Sequence, residues 1–443
     1  MTLARKLAEA VPVLVVESGG LEADPDVEAL QLGESVGIGY PLMETRTRQF
    51  GGSSALWGGY CAIFDPHEFE RRDWVPGSGW PFGAKAIEPY YEEIAKLLNL
   101  GEPNFDPRDI AVRAGVVLPF DNETVVPSVW RFGTPTARFG EQLREEFEES
   151  RDLTTLINAN VVDIRLDSEH SLVTEVVIRT LSGREGRIAA DIFVLACGGI
   201  ETPRILLNAN TQVRHGLGNG SDMVGRFFMD HPHLAVPSLI LRNESLFRGW
   251  TERGSYDDNR QFLSCVGLSA QAQKETQILN ARAHIYRTPS MTKDESSKVG
   301  IFLEQAPNPM SRIILTDDVD SLGLRRVRLD WQFTELDWKT YEQTASLLAR
   351  EFERIDAGRM LFPSQPTTRK RELVLHTSHQ LGTTRMSQNP EDGVVNSDCR
   401  LHDLGNLYIA GGSVFPTAGW ANPTFTVIAL ALRLADHLRS ELD

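Results

Sequence analysis

The stretch MTLARKLAEAVPVLVVESGG, residues 1–20, decides the fold class. Leu3, Ala4, Leu7 and Ala8 fall on one helical face, and the apolar run Val11–Val16, broken by Pro12, ends in Glu17, Ser18, Gly19 and Gly20. The order is helix, turn, buried parallel strand, carboxylate. This is the second half of a dinucleotide-binding βαβ unit, in which a carboxylate at the end of the second strand hydrogen-bonds a ribose hydroxyl. The first half is not present: no strand precedes the helix, and no G-x-G-x-x-G stands at its start to seat a pyrophosphate.

Working outward, two later segments repeat the style. IAADIFVLACGGIETPRILLNA, residues 188–209, reads as strand, Gly-Gly turn and helix; NLYIAGGSVFP, residues 406–416, is a strand entering a glycine turn, followed by a helix over Pro423–Leu438. Between them alternation dominates, in LAVPSLILR, QFLSCVGLSA, SRIILT and RRVRLDWQF, with a long helix over Trp338–Arg354. The strands LINANVVDIRL and SLVTEVVIRT precede the first of these segments, and Ala84–Leu100 has helical spacing. The expected architecture is α/β: a discontinuous doubly wound domain from residues 1–60, 150–222 and 380–443, incomplete at its N-terminus. A substrate or cap domain with an antiparallel sheet and helices is expected from residues 61–149 and 223–379.

At 443 residues, 41% hydrophobic and 24% charged, the chain can bury two cores. Its net charge of -16 disfavours nucleic acid and anionic membrane surfaces, which need a basic face. Cys61, Cys197, Cys265 and Cys399 lack CxxC spacing, so no metal site is expected, and mostly buried, reduced thiols are; Cys197 reads as a packing residue. The longest apolar candidate, Thr424–Leu434, includes Arg433 and is too short to span a membrane. Without a leader at Met1 the expected location is cytoplasmic, although a signal could stand upstream.

Three motifs carry chemistry. RQFGGSSALWGG, Arg48–Gly59, is a glycine- and serine-rich loop whose N–H groups and hydroxyls can lie against a flat or anionic ligand, anchored by Phe50, Leu56 and Trp57. HQLGTTRM is residues 379–386, and GGSVFPTAGWANPTF is residues 411–425. Together with VLACGGIETPRILL, GRFFMDHPH and FDPHEFERRDWVPGSGWPF, and in this order, they resemble the glucose-methanol-choline (GMC) oxidoreductases, in the branch acting on sugars and glycosides. The resemblance covers nearly the whole chain.

The resemblance implies an FAD domain, a substrate domain and oxidation of a CH–OH group by hydride transfer to FAD. His379 matches the family's catalytic histidine, and Asn422 its partner. A base is needed because hydride leaves a carbinol carbon readily only as the hydroxyl proton departs, and histidine titrates near neutral pH. The uncharged Asn422 can donate to the developing alkoxide. Cofactor contacts are implied for Glu17, Gly51, Gly52, Ser53, Ser54, Trp57, Gly58, Val162, Ala196, Gly198, Gly412, Ser413, Asn422, Pro423 and Thr424. Some sugar oxidases of the family tether FAD through a histidine just before the tryptophan; Leu56 stands there, so FAD is expected to bind non-covalently. His231, His233 and His376 are expected to have structural roles. The partner is an alcohol or carbohydrate, with oxygen, a quinone or a cytochrome as electron acceptor.

The family pattern also includes the first strand and its glycine turn. Their absence leads us to expect that Met1 is an internal start and that about 25 to 30 further residues, enough for a strand, turn and helix start, precede it. A flavin-free remnant that binds a carbohydrate and a nicotinamide enzyme are the alternatives. The pair His379 and Asn422 argues against the remnant, for which the missing phosphate loop speaks; Glu17 alone would permit a nicotinamide enzyme, and the C-terminal strand-turn-helix with Asn422 argues against it.

Overall fold

In the computed structural model, which describes residues 1–120, 123–242, 247, 250–287, 297–362 and 370–442, the opening stretch forms helix Thr2–Leu7 and strand Val13–Val16. Leu3, Ala4 and Leu7 enter the main core, where this helix lies against helix Thr424–Leu442. Val13–Val16 pairs in parallel with Leu153–Leu156, and a second parallel ladder joins Phe193–Leu195 to Leu407–Ile409. The α/β class therefore holds, but among the described residues these two parallel ladders are separate two-stranded sheets.

The alternating segments build an eight-stranded antiparallel sheet. Gly254–Tyr256, Arg260–Leu268, Ala281–Arg287, Ser297–Leu303, His233–Leu241 and Gly358–Leu361 run in that order; Val125–Phe132 also pairs with Arg260–Leu268, and Val374–Leu375 with His233–Leu241. Successive side chains of a strand point to opposite faces. Leu263 and Cys265 accordingly enter the main core, while Val266 and Leu268 join a second core beneath helix Glu335–Arg354, which contributes Ala345, Leu348 and Phe352. That helix begins in a capping box between Thr334 and Asp337, one turn before the expected start.

Several elements depart from expectation. Ala84–Leu100 is not one helix: two 3₁₀ turns, Ala84–Ala86 and Glu88–Tyr90, precede helix Tyr91–Leu97, because Pro89 has no N–H to continue a helix through it. The run 156–166 splits into Leu153–Leu156 and Asn160–Leu166, which belong to different sheets, with Asn158 at a φ of 56° between them. Glu34–Gly37, unmarked in the sequence, pairs in parallel with Arg328–Trp331. Cys197 is exposed rather than packed, since it caps helix Gly198–Asn208 where the chain leaves strand Phe193–Leu195. Cys61, Cys265 and Cys399 are buried. Among the described residues no helix is long and apolar enough to cross a membrane.

Helix Gly198–Asn208 touches the HQLGTTRM segment through one glycine. A Cβ on Gly199 would lie 2.3 Å from the Gln380 carbonyl oxygen, and the Gly199 carbonyl accepts a 2.6 Å hydrogen bond from Thr383. We expect Gly199→Ala to lower stability by about 1–3 kcal/mol through this overpacking. A urea denaturation curve coinciding with that of the native chain would refute the contact.

Candidate active site

His379 is placed by an irregularity in strand pairing. Leu375 pairs with His233 and Leu381 with Met229, so the five residues 376–380 lie opposite the three residues 230–232. The surplus backbone bulges outward through Ser378, at a φ of 66°, and its N–H groups lose their ladder partners. Asp230, fully buried, replaces them. Its carboxylate accepts from the Thr377 N–H (2.9 Å), the Thr377 hydroxyl (2.6 Å), the His379 N–H (2.9 Å) and the His231 N–H (2.7 Å). Burial works against its charge, yet His379 and the bonds from Thr377 hold its pKa below the usual carboxylate value.

Hydrogen bonding fixes the protons on both imidazoles. His231 Nε2 lies 3.0 Å from the Ala418 carbonyl, which can only accept, so Nε2 carries the hydrogen. Burial lowers the pKa of His231 and keeps it neutral, which leaves Nδ1 an acceptor. That Nδ1 is 3.0 Å from His379 Nδ1. His379 therefore donates from Nδ1, shared with the Thr377 hydroxyl oxygen at 2.9 Å, and its Nε2 keeps its lone pair as an acceptor. The Asn422 Nδ2 stands 3.3 Å from that Nε2, on the donor side. Desolvation first, and His231 second, pull the His379 pKa down to about 3, against the opposing pull of Asp230. The arrangement presents a neutral ring nitrogen able to take a proton, beside an uncharged amide able to donate a hydrogen bond. Asp230, His231 and His379 could also offer one ligand atom each to a metal ion, all within 4.8 Å. Nδ1 of both histidines is already committed to the hydrogen bond between them.

The structure joins some expected site residues and separates others. Gly412 accepts from the Gly382 N–H (3.2 Å), and Ser413 accepts from the Thr384 N–H (2.8 Å), so the glycine turn abuts the HQLGTTRM segment. Pro423 and Thr424 open the last helix directly after Asn422. Glu17 accepts from the Gly19 N–H at 2.8 Å, and burial raises its pKa. Val162 lies on Asn160–Leu166, packed against Val27, Leu30 and Leu322, two residues from Asn160, which accepts the Ser18 hydroxyl. Ala196 and Gly198 are exposed at the end of their ladder. The loop from Gly51 to Gly58, with Gly52, Ser53 and Ser54 in a 3₁₀ turn, is fastened to residues 137–140: the Trp57 indole N–H donates to the Ala137 carbonyl at 2.7 Å, and Ser54 accepts from the Phe139 N–H at 3.1 Å.

Sequence reasoning missed Asp230 and Thr377, and gave His231 a merely structural role. It also missed the cluster in which Glu201 meets Arg46 (2.7 Å), Arg48 (2.6 Å) and Arg204 (3.2 Å). Burial opposes the charge of Glu201, but the three guanidiniums bring its pKa down to about 2. Arg48 also donates to the Ser18 hydroxyl at 2.7 Å, which ties the end of Val13–Val16 to helix Gly198–Asn208.

Fold and site together define a class: an α/β protein with an antiparallel second sheet and a half-buried histidine–asparagine pair. The sequence model of the family described as GMC oxidoreductase matches residues 307–431. Over that segment the chain is similar to the GMC oxidoreductases. It is 25% identical over 453 aligned residues to the 2-methyl-1,2-propanediol dehydrogenase of Mycolicibacterium austroafricanum, covering 88% of this chain and 80% of that one. It is 27% identical over 305 residues to the fructose dehydrogenase large subunit of Gluconobacter japonicus, and the match spans about half of that protein, 54%, and 64% of this chain. The crystal structure of a pyridoxine 4-oxidase from "Mesorbium loti" superposes with a TM-score of 0.66 at 17% identity, covering 99% of this chain and 96% of the other.

Replacing Asp230 by Asn would point an amide at donors that need a carboxylate. We expect Asp230→Asn to lose about 2–3 kcal/mol of stability in urea denaturation; an unchanged midpoint would remove the clamp. The pKa values of His379, His231 and Asp230 all lie below their unfolded values, so between the two the unfolded chain binds more protons. Stability should therefore fall as pH drops from about 6.5 toward 3. A urea midpoint that stays flat over that interval would contradict the burial of these groups.

Proposed function

We propose that the chain is an FAD-dependent oxidoreductase that oxidises a CH–OH group of a sugar, a glycoside or another alcohol. The observation that carries this reading is the lone pair on His379 Nε2, fixed by the tautomer chain behind it and flanked by Asn422. His379 Nε2 takes the substrate hydroxyl proton. The Asn422 amide donates to the same oxygen as it gains negative charge, and being neutral it neither competes for the proton nor repels the ring. His231 and Thr377 hold the ring through Nδ1, so the proton arrives at one defined atom.

FAD supplies the hydride acceptor when bound. The backbone fits such a flat group: Gly52, Gly198 and Gly411 have φ values of 55°, 81° and 136°, and a Cβ on any of them would meet no atom within 4 Å. These glycines and the adjoining Gly51, Ser53, Ser54, Trp57, Gly58, Ala196, Gly412, Ser413, Pro423 and Thr424 would hold it, with Glu17 and Val162 toward a ribose. Leu56, 55% exposed, offers no atom for a covalent tether. The relatives act, by their names, on a sugar and on a diol. Both are alcohols that a base facing a hydride acceptor can oxidise.

The test is anaerobic mixing of the purified flavin-loaded chain with a panel of sugars, glycosides and diols while the visible flavin absorbance is followed. Bleaching by at least one neutral alcohol is expected, slowed by about 10²- to 10⁴-fold in His379→Ala at equal flavin content. Equal rates in the two proteins would defeat the assignment. Because burial holds the His379 pKa near 3, its base form persists at ordinary pH, and kcat/KM should show no acid limb from this group between about pH 5 and 8. Acid precipitation should leave the flavin in the supernatant; a coloured pellet would show a covalent bond.

A further inference from the structure

Asn422 ends a loop that no helix or strand supports. The loop runs from Pro416 to Asn422, between the 3₁₀ turn Gly412–Val414 and helix Thr424–Leu442, and residues 416–421 are all buried. Buried backbone donors need acceptors. Among the described residues, the one hydrogen bond donated by the backbone of residues 417–422 is that of the Trp420 N–H, which reaches Glu68 Oε1 at 2.8 Å. Both contacts of the loop with the histidines flank this bond. Two residues before it, the Ala418 carbonyl accepts from His231 Nε2 at 3.0 Å; two residues after it, the Asn422 amide stands 3.3 Å from His379 Nε2.

Glu68 belongs to the FDPHEFERRDW stretch and is itself held on every side. It is fully buried at the end of the 3₁₀ turn Pro66–Glu68. Its Oε2 accepts from the Asp65 N–H at 2.7 Å, and its Oε1 also accepts from the Asn280 amide at 2.9 Å, so both oxygens are committed. Asn280 is fixed in turn: its amide also donates to Asp65 at 3.1 Å, and its N–H donates at 2.9 Å to Glu304, which accepts from Arg72 Nη1 at 2.8 Å. Asp65 pairs with Arg282 at 2.6 Å, and that guanidinium lies 4.5 Å from the Trp420 ring. The Glu68 carbonyl accepts from the Thr417 hydroxyl at 3.4 Å, which accepts from the Trp80 indole at 2.9 Å. Gly419 lets the loop press on the same segment: its φ is 62°, and a Cβ there would sit 2.7 Å from the Phe64 ring. Burial, with Asp65 and Glu304 beside it, raises the Glu68 pKa well above the usual carboxylate value against the pull of Arg282 and Arg72. An uncharged amide of the same length can therefore stand in for it as acceptor at Oε1.

We propose that Glu68 is a positioning residue for the oxidation: through the Trp420 N–H it fixes both the Ala418 carbonyl that sets the His231 tautomer and the Asn422 amide that faces the reacting oxygen. This rests on His379 being the base. Two buried carboxyls then divide the work, Asp230 mounting the histidine and Glu68 the loop opposite it. With the acceptor gone, the loop is free to shift. The Asn422 amide then leaves the oxygen on which charge develops, and His231 loses the carbonyl that selects its Nε2–H form. An interaction made as the charge develops acts on kcat and leaves KM alone.

The experiment compares the native chain with Glu68→Met, which keeps the side-chain length and removes the acceptor, and with Glu68→Gln, which keeps the acceptor. Two quantities are read: kcat and KM with an alcohol that bleaches the bound flavin, and the His231 tautomer without substrate, by long-range ¹H–¹⁵N correlation assigned with His231→Gln. Glu68→Met should lower kcat about tenfold or more with KM changed by less than about threefold. It should also show both neutral tautomers of His231 where the native chain shows the Nε2–H form. Glu68→Gln should return kcat to within about threefold of native and restore the single tautomer. If Glu68→Met fails to fold, Glu68→Asp, whose carboxyl is set back from Trp420 by about 1.5 Å, gives the same two readouts. A folded Met or Asp variant with native kcat, or with a single His231 tautomer, would overturn the proposal. So would a Gln variant no better than Met. A fully active His379→Ala would instead defeat the reading of the base; the His231 tautomer needs no turnover and still decides the role of Glu68, so the two failures are distinguishable.

Discussion

The site depends on one buried carboxylate. Five residues of the HQLGTTRM approach must be accommodated opposite three residues of the partner segment, and a bulge of that size strips backbone N–H groups of their partners. Asp230 collects the orphaned donors of Thr377 and His379 in a single anion and so turns an irregular loop into a rigid mount. Charge-assisted hydrogen bonds are roughly twice as strong as neutral ones, which makes a carboxylate the fitting residue for the task. It fixes the backbone from which His231 and Thr377 then orient the His379 ring through Nδ1.

The charges of the molecule are arranged around that mount. Full charges are matched close by: Glu201 by three arginines, Glu304 by the buried Arg72 at 2.5 Å, and Arg204 also by Asp320 at 2.7 Å. At the reacting end, His231, His233, His284 and His379 are all kept neutral by burial. A proton accepted there, as the proposed reaction requires, would be the new charge in a surrounding of dipoles, with Asp230 behind the ring to compensate it. The Arg48 bridge from Ser18 to Glu201 serves a different end, joining the strand that carries Glu17 to the helix whose Gly199 rests on Gln380.

Much of this was legible in the sequence. The strand Val13–Val16 followed from a run of apolar residues, the last two helices from 3.6-residue spacing, and the meeting of His379 and Asn422 from motif order. Strand Glu34–Gly37 was not, because its residues are mostly exposed and show no alternation; its pairing with Arg328–Trp331 is set by tertiary contacts. Val125–Phe132 was missed for a related reason: Pro127 and Arg131 interrupt the apolar pattern, and only the register with Arg260–Leu268 makes it a strand. Asp230 and His231 were visible as a DHPH turn, but their partners lie about 150 positions away, and no local signal distinguishes a carboxylate that caps a turn from one that caps a distant bulge. Cys197 looked like a packing residue since small residues at strand ends are so often buried; here the strand ends at the surface.

The most direct test of the account is the tautomer of His379, read by long-range ¹H–¹⁵N correlation in histidine-labelled protein and assigned with His379→Gln. Protonated Nδ1 and a bare Nε2 from about pH 5 to 8 are the predicted result, with His231 in the opposite tautomer. A proton on Nε2, or a charged His379 imidazole near neutral pH, would contradict it, since the base would then hold no lone pair toward Asn422.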